Sequence, residues 1–177
     1  VFRRATIPWF SAQPKGTLYS SLRRTKAFLS VDMAMGRVFV HIHGRPKGQA
    51  TRLLIDDYAS RNLSAGIEMV VHKDKTSASD YERRIESSGA ELILLDDSGA
   101  MLTSMELAEM ISEVTLSHRN LIFAIGPADG FSDKIKSGCK KISISRMTLT
   151  HEMATAILLE QLYRASEINK GSQYHRS

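Results

Sequence analysis

The chain has 177 residues, 42% of them hydrophobic, which is enough for the core of one domain plus an extension. Its single cysteine, Cys139, excludes an internal disulfide and a multi-cysteine metal site. No apolar run reaches the ~20 residues of a membrane-spanning helix, so we predict no membrane partner. The formal net charge is +5, and residues 1–33 account for all of it. Because the remaining residues are formally neutral, the high pI does not argue that the folded body binds nucleic acid.

The first 33 residues have the composition of an organellar transit peptide. They are rich in arginine, serine and threonine, and Asp32 is their only acid, which is the pattern of mitochondrial and chloroplast targeting segments. A disordered N-terminal extension is the alternative interpretation. We therefore expect a leader at 1–33, import into a mitochondrion or plastid (chloroplast), and one folded domain at 34–177.

Strand and helix patterns alternate along residues 34–177. Short β-branched and apolar runs predict strands at 37–42, 67–71, 91–96, 121–125 and 142–145. Apolar residues at helical spacing predict helices at 49–60, at 77–87, from Thr103 onward, from Ser132 to about Gly138, and at 151–169. This alternation predicts an α/β fold with a parallel, doubly wound sheet.

Helix ends and faces carry further predictions. Thr103 and Glu106 have the spacing of a capping box at the start of the third helix. Thr150 is expected to cap the last helix, and Gly171 to close it. The side chains predicted to face the core are Ala50, Leu53, Leu54 and Tyr58 in the first helix, Tyr81 and Ile85 in the second, and Leu107, Met110, Ile111 and Val114 in the third.

The last helix is apolar over more than one face. An arc this wide favours a second partner surface, most simply a homodimer contact. Complete burial within the helix's own domain explains the pattern about as well. The residues of the arc are Met153, Ala156, Ile157, Leu159, Leu162, Tyr163 and Ile168.

Isolated motifs point only weakly to chemistry. Gly126–Gly130 follows a buried strand, where a glycine lets a ligand approach the backbone, but an ordinary turn explains the segment better. His41 and His43 share one strand face at a spacing that could hold a metal ion. No third ligand follows them convincingly, so we predict an ordinary side-chain face and no metal.

The C-terminal residues offer a second candidate site. Glu160, Tyr163 and Arg164 lie close together on the last helix, where an ion pair between positions i and i+4 with a packed tyrosine is the simplest prediction. The tail GSQYHR that follows places a tyrosine, a histidine and an arginine side by side. Such a set can stack on a base and hold a phosphate, although a frayed end is the plainer interpretation.

Several spaced motifs identify a family resemblance. IGPADGFS, SISRMTLTH, LLEQLYRA and YHR occur in this order, and LLDDSGAMLTSMELAEMI precedes them. Together they resemble the ribosomal large-subunit methyltransferase H family, a group of small SPOUT-class enzymes, over residues 36–177. The resemblance implies a single SPOUT domain with a C-terminal trefoil knot, one of the rare knotted folds. It also implies a homodimer.

The resemblance further implies an activity. The family uses S-adenosyl-L-methionine to methylate N(3) of a pseudouridine in large-subunit ribosomal RNA, and it acts on assembled ribosomes. By resemblance, His151, Glu160, Tyr163 and Arg164 would support the knot and the dimer. The residues expected to bind the cofactor are Leu95, Gly126, Ile144, Ser145, Arg146, Met147, Thr148 and Leu149.

The same resemblance assigns the catalytic residues to the C-terminus. Tyr174, His175 and Arg176 would reach the site, across the dimer, and seat the nucleotide. The target nitrogen must lose a proton, and His175 is the best-matched general base by intrinsic pKa. Arg164 or Arg176 could stabilise the developing oxyanion instead. Alignment of the two reactants is expected to contribute more than base catalysis, since it can supply ~7–11 kcal/mol of a barrier.

One departure from the family pattern keeps a second function open. Pro127 stands where the family usually has a glycine, and proline lacks an N–H and fixes φ. A cofactor contact at this position would be lost. The alternative function is therefore a non-catalytic ribosome-binding or assembly factor on the same scaffold. Thr150 replaces a usual proline, and we expect little harm because it can still cap the helix.

Overall fold

The computed structural model describes residues 35–127 and 129–176, with His175 and Arg176 described by their backbone alone. The predicted leader at 1–33 lies outside these residues. The strands are β1 (Val38–His43), β2 (Ile67–His72), β3 (Glu91–Met101), β4 (Leu121–Ile125) and β5 (Lys140–Ser143). The helices are α1 (Gln49–Asn62), α2 (Ala78–Glu86), α3 (Ser104–Ser117), α4 (Asp133–Gly138) and α5 (His151–Asn169). Short 3-10 turns lie at Leu63–Ala65 and Gln173–Arg176.

The strands form one parallel sheet in the order β2-β1-β4-β3-β5. All five carboxyl ends therefore lie along one edge of the sheet, which is where open α/β folds bind ligands. The predicted α/β class and the parallel, doubly wound sheet are confirmed. In the described part of the chain, no helix has the length and apolar character needed to cross a bilayer.

Helices cover both faces of the sheet, as the near-continuous apolar strands require. On one face, α1, α3 and α5 pack on alternate side chains of the strands, such as Val40, Phe123 and Ile93. On the other face, α2 and α4 pack on the intervening side chains, such as Leu94 and Ala124. Every residue of β4 is buried because the strand is central and covered on both sides.

Local signals predicted the element ends well. Thr103 Oγ1 accepts a hydrogen bond from Glu106 N at 3.2 Å, and Glu106 Oε2 accepts one from Thr103 N at 2.7 Å, which confirms the capping box. Thr150 Oγ1 caps α5 by accepting from Met153 N at 3.3 Å. The chain leaves α5 through Gly171, whose φ of 69° suits a residue without a Cβ.

The prediction for the inward face of α1 was wrong. Leu53 and Leu54 are 61% and 44% exposed, and Ala50 is also exposed, whereas Ile55 is fully buried. Tyr58 is half-buried and packs against the core as predicted. Because helical periodicity shows only that residues share a face, it could not show which face meets the sheet.

The bounds of the last strands also differ from the prediction. β5 begins and ends two residues earlier than the predicted 142–145. β3 continues beyond residue 96 to Met101, through a polar, glycine-containing sequence that suggests a loop. The pairing of β3 with β5 explains this extension. Leu95 and Ala100 both pair with Ile142, so the four residues between them bulge out of the register.

Gly99 lies in this bulge, directly against the backbone of β5. A Cβ placed on Gly99 would lie 2.5 Å from the carbonyl carbon of Ile142 and 2.6 Å from its nitrogen. Real Cβ atoms do not approach backbone atoms this closely, and Ile142 cannot rotate away because it belongs to the sheet. Only glycine allows the segment after residue 95 to lie over β5 in this way.

We expect Gly99→Ala to destabilise the protein by ~1–3 kcal/mol, because the added methyl group has to displace the backbone of β5. Gly138→Ala is the matched control, since a Cβ at Gly138 meets no atom within 4 Å. Urea unfolding of the two variants and the wild type measures the difference. Equal stability of Gly99→Ala and the wild type would contradict the close contact.

Candidate functional site

A cavity of about 660 Å³ opens at the carboxyl ends of β3, β4 and β5. Three segments form its walls: the start of the β3 bulge, the turn after β4, and the irregular chain between β5 and α5. The volume falls within the ~300–1,000 Å³ of small-molecule sites. The lining residues are Leu95, Asp96, Asp97, Ile125, Gly126, Pro127, Asp129, Gly130, Phe131, Lys136, Ile142, Ser143, Ile144, Ser145, Met147, Thr148, Leu149, Thr150, His151 and Ala154.

An ion pair fixes the wall that β3 provides. Asp96 Oδ2 lies 2.8 Å from Lys136 Nζ, and Asp96 Oδ1 accepts hydrogen bonds from Ser98 N and Ser98 Oγ at 3.0 and 2.6 Å. Burial disfavours the charged form of this carboxyl group, but the bonds from Lys136 and Ser98 outweigh it and hold the pKa of Asp96 well below its usual range. Asp96 is therefore ionised at neutral pH and ties the β3 bulge to α4.

A tight turn forms the wall that follows β4. Gly130 has a φ of 80°, and its N–H donates to the carbonyl oxygen of Pro127 at 2.8 Å. A Cβ on Gly126 would lie 3.1 Å from the ring of Phe131, which is buried beneath the turn. The site therefore needs a small residue at position 126. Pro127 contributes its carbonyl group to the turn and so does not need an N–H there.

The third wall has no regular secondary structure between Ser143 and His151. Two serines shape it. Ser143 Oγ donates to the carbonyl oxygen of Ser145 at 2.8 Å, and Ser145 Oγ accepts from Met147 N at 3.0 Å. The amide and carbonyl groups of such a segment are not used in a strand ladder, so this wall offers backbone groups that can bind a polar ligand.

The structure brings together seven of the eight residues predicted to bind a cofactor. The residues at the cavity are Leu95, Gly126, Ile144, Ser145, Met147, Thr148 and Leu149. Arg146 is exposed and is not among the lining residues. His151, predicted as a supporting residue, lines the cavity from the first turn of α5. The role of these residues in binding a cofactor stays a prediction.

Two of the residues predicted to be catalytic, Arg164 and Tyr174, lie in a separate cluster on α1, α5 and the tail. We call it the tail cluster: Tyr58, Glu160, Tyr163, Arg164 and Tyr174. Arg164 Nη2 lies 2.7 Å from Glu160 Oε1, which confirms the predicted ion pair. The ring of Tyr174 lies 5.0 Å from the guanidinium carbon of Arg164 and 5.0 Å from the ring of Tyr163. Its hydroxyl lies 3.4 Å from both Tyr58 Oη and Glu160 Oε1. The tail therefore packs on α1 and α5.

This environment limits what Tyr174 can do within one chain. The hydrogen bond with Tyr58, together with burial and the nearby Glu160, raises the pKa of the Tyr174 phenol above its ordinary value. Tyr174 is therefore neutral at physiological pH and cannot act as a general base. The side chains of His175 and Arg176 lie outside the described residues, so their predicted roles stay predictions.

The tail cluster and the cavity lie at different positions along α5. Ala154 lines the cavity, and Arg164 follows it by ten residues on α5, which is a rise of ~15 Å along the helix. None of Tyr174, Arg164 and Glu160 lines the cavity of its own chain. Among the described side chains, the structure of one chain therefore does not bring Arg164 and Tyr174 to the predicted cofactor residues.

The two histidines considered as metal ligands have other partners. His41 Nδ1 lies 3.1 Å from His72 Nε2, and His43 Nε2 lies 2.7 Å from the carbonyl oxygen of Thr76. The ring of His72 lies 4.8 Å from that of Tyr81, whose hydroxyl is 3.0 Å from the carbonyl oxygens of His41 and Ile125. Across the described residues, no group of three or more potential metal ligands occurs. These residues pack β1 and β2 against α2.

Several cavity residues were not predicted from the sequence. Asp96 and Asp97 directly follow an apolar strand, and the rule that ligands bind at carboxyl ends of parallel strands could have identified them. Lys136 could not be found in this way, because its contact with Asp96 joins residues 40 positions apart. Phe131 follows a glycine turn, and no periodicity marks it as buried.

Comparisons with known proteins identify a family for this chain. A family model described as "Predicted SPOUT methyltransferase" matches residues 37–175. The chain is 38% identical to "Ribosomal RNA large subunit methyltransferase H" of a Geobacter species over 144 residues, 75% of this chain and 94% of that relative. It is 45% identical to the protein of the same name from Kosmotoga olearia over 108 residues, 59% of this chain and 70% of that relative. The solved A. aeolicus TrmH/SpoU tRNA modifying enzyme has a TM-score of 0.43 at 11% identity, covering 79% of this chain and 81% of its own.

The histidine pair generates a pH prediction. Burial is the larger cause and the nearby His72 the smaller cause that lower the pKa of His41 from 6.5 to about 4. Between these values the unfolded chain binds a proton that the folded chain does not. The contribution of His41 to the free energy of unfolding is therefore fully present above pH 6.5 and is lost as the pH drops toward 4. Urea unfolding from pH 7.5 to 4.5 should show a steeper loss for the wild type than for His41→Gln. Identical pH profiles would contradict this.

Proposed function

The chain belongs to the SPOUT methyltransferase family, and on that premise we propose that it transfers the methyl group of S-adenosyl-L-methionine to N(3) of a pseudouridine in large-subunit ribosomal RNA. The observation that carries the proposal is the cavity at the carboxyl edge of the sheet. Its three walls come from the same segments whose motifs define the resemblance, and the relatives that match these segments are named ribosomal RNA large subunit methyltransferases.

The cavity residues fit S-adenosylmethionine in shape and charge. Leu95, Ile125 and Ile142 offer an apolar slot for an adenine ring. Asp97 and Asp129 add acidic groups at the rim, and both are exposed. Acidic groups attract a ligand that carries sulfonium and ammonium charges. Gly126 has no side chain, so a ligand can approach the backbone of the turn closely. A Cβ at this position would lie 3.1 Å from the ring of Phe131.

S-adenosylmethionine supplies an electrophilic methyl group when it is bound. The chain itself has to hold the acceptor nitrogen in line with that group, to exclude water, and to remove the imide proton. Alignment alone can contribute ~7–11 kcal/mol to lowering the barrier. Of the tail residues, His175 has the ordinary pKa best suited to accept a proton near neutral pH. Tyr174 remains protonated, so its part is to pack the tail in place and to donate hydrogen bonds.

We propose that the segments around the cavity form a trefoil knot, as the resemblance implies. The close contact of Gly99 with the backbone of Ile142 supports this, because it holds the segment after residue 95 directly against β5. The double pairing of Ile142 with Leu95 and Ala100 supports it as well. A chain that threads one segment under another needs such a contact between two backbones.

We propose also that the protein acts as a homodimer. Leu53 and Leu54 on α1 and Met153 on α5 are large apolar side chains with exposures of 61%, 44% and 42%. They lie on two helices that pack together, and burying them against a second copy would stabilise a dimer. A second copy would also solve the separation of tail and cavity, since the tail of one chain could complete the cavity of its partner.

The proposed cellular setting rests on the resemblance and on the composition of residues 1–33. We propose that the acceptor is the assembled ribosome, and that residues 1–33 direct the protein to a mitochondrion or a plastid. A fusion of residues 1–33 to a fluorescent protein tests the second proposal. Diffuse fluorescence outside both organelles would oppose it.

The central test combines calorimetry with mass spectrometry of ribosomal RNA. The wild type should bind S-adenosylmethionine and convert a pseudouridine of unmodified large ribosomal subunits to methylpseudouridine. Gly126→Val should weaken cofactor binding by about tenfold or more, because its side chain enters the space between the turn and Phe131. Gly138→Ala, with open space around it, should behave as the wild type.

The same measurements decide about Pro127. If the wild type binds no cofactor and Pro127→Gly does, the chain is a non-catalytic ribosome-binding or assembly factor and the proposed activity is wrong. We expect instead that Pro127→Gly changes the affinity less than about threefold, because the turn uses only the carbonyl group of Pro127.

Mixed dimers test the contribution of the tail across the dimer. Gly126→Val impairs the cavity, and a variant with Tyr174, His175 and Arg176 all replaced by alanine impairs the tail. A purified heterodimer of the two has one intact composite site if the tail acts on its partner, which predicts about half of the wild-type activity. If the tail acts within its own chain, every site in the heterodimer carries a defect and no activity returns.

A further inference from the structure

The average neutrality of the folded body conceals a local concentration of positive charge. The loops after β1 and β2 carry four exposed basic residues, which we call the basic strip: Arg45, Lys47, Lys73 and Lys75. Both loops lie at the carboxyl edge of the sheet, the edge that holds the cavity. The strip is not part of the motifs that carry the family resemblance, and the cavity lining does not include it.

Hydrogen bonds hold the two loops together and fix the strip. Gly44 N donates to the carbonyl oxygen of His72 at 3.1 Å, and Arg45 N donates to Asp74 Oδ1 at 3.0 Å. The second bond places Arg45 beside the loop that carries Lys73 and Lys75. The strip therefore lies on two adjacent loops whose backbones are held together by hydrogen bonds. The side chains that carry its four charges start from these fixed backbone positions.

The neighbouring carboxylates are engaged by backbone amides. Besides the bond from Arg45 N, the first turn of α5 brings Glu152 to the other end of the strip, where its Oε1 accepts from Lys47 N at 2.6 Å. This bond lowers the pKa of Glu152. Over residues 35–127 and 129–176, no ion pair involving any of the four basic side chains is found, although seven pairs occur elsewhere. Their charges face solvent.

The strip adjoins the cavity. β1 is hydrogen-bonded to β4, whose following turn lines the cavity, and β2 is the next strand outward. The loops after β1 and β2 therefore lie one and two strand spacings, ~5 and ~10 Å, from the end of β4. Glu152, which holds Lys47 N, directly follows the cavity residue His151. If an RNA places its target base in the cavity, the phosphate backbone of the neighbouring nucleotides can continue over the strip.

We propose that the basic strip binds the phosphate backbone of the ribosomal RNA segment next to the target nucleotide. This inference rests on the proposed function. Lysine and arginine side chains commonly contact phosphates, and such contacts position a nucleic acid without reading its sequence. An acidic surface of a ribosomal protein is the competing partner for the same charges, and the experiment separates the two.

The experiment compares two charge-removal variants with a matched control. Lys73→Gln/Lys75→Gln and Arg45→Gln/Lys47→Gln each remove two charges from the strip. Arg119→Gln/Lys140→Gln removes two exposed charges from the opposite, amino-terminal edge of the sheet, before β4 and at the start of β5. Binding to protein-free large-subunit RNA and to large ribosomal subunits is measured by filter binding over a series of salt concentrations.

Each strip variant should bind the protein-free RNA about tenfold more weakly at low salt. The slope of log affinity against log salt should fall by ~1.5, since each phosphate contact contributes ~0.7–0.9. Affinity for S-adenosylmethionine, measured by calorimetry, should stay as in the wild type. The control variant should keep the wild-type slope, which excludes a general effect of net charge.

Two outcomes would overturn the inference. Strip variants with an unchanged slope on protein-free RNA show that the strip does not contact phosphates. Strip variants that bind ribosomal subunits more weakly but bind protein-free RNA as tightly as the wild type assign the strip to a ribosomal protein. The proposed function fails on different evidence, namely no methyl transfer by the wild type, and the salt slopes still decide the role of the strip in that case.

Discussion

The close passage of one backbone over another between β3 and β5 is the constraint on which the site depends. Gly99 lies against Ile142 with no space for a Cβ, so the bulge after residue 95 is held over β5. This contact sets the position of Asp96, which forms an ion pair with Lys136 of α4. Through that ion pair it also positions α4, which follows the turn after β4. Two of the three cavity walls are thereby fixed relative to each other before any ligand binds, which is the preorganisation that a positioning enzyme needs.

Electrostatics divides the carboxyl edge of the sheet into two regions. Acidic residues such as Asp97 and Asp129 lie around the cavity, where a positively charged ligand fits. Basic residues occupy the loops after β1 and β2, where a polyanion fits. The histidine pair under these loops stays uncharged at neutral pH because burial lowers the pKa of His41. A net charge near zero for the body is therefore compatible with two oppositely charged substrates bound side by side.

Local sequence signals predicted those parts of the fold that local physics decides. The capping box at Thr103, the apolar strand β4 and the glycine end of α5 each depend on residues close in sequence. The inward face of α1 was predicted wrongly, because exposed Leu53 and Leu54 have the same spacing as core residues. The extension of β3 was missed because its polar residues form a strand only when β5 pairs with them.

The candidate site was accessible from the sequence to a similar extent. The segments around Gly126 and 144–149 were identified through family resemblance, and the structure brings them to one cavity. Periodicity could not have revealed them, since the third wall has no regular structure. The contact between Asp96 and Lys136 and the burial of Phe131 depend on tertiary packing, so only the folded chain reveals them.

The edge position of β5 has a consequence for the protein during its synthesis. Among the described strands, β5 pairs with β3 alone and comes last in sequence. While the ribosome has not yet released these residues, β3 presents a bare row of amide and carbonyl groups to its surroundings. Such an open edge invites pairing with other chains. A nascent polypeptide that stalls before residue 140 would therefore depend on chaperones far more than the finished protein does.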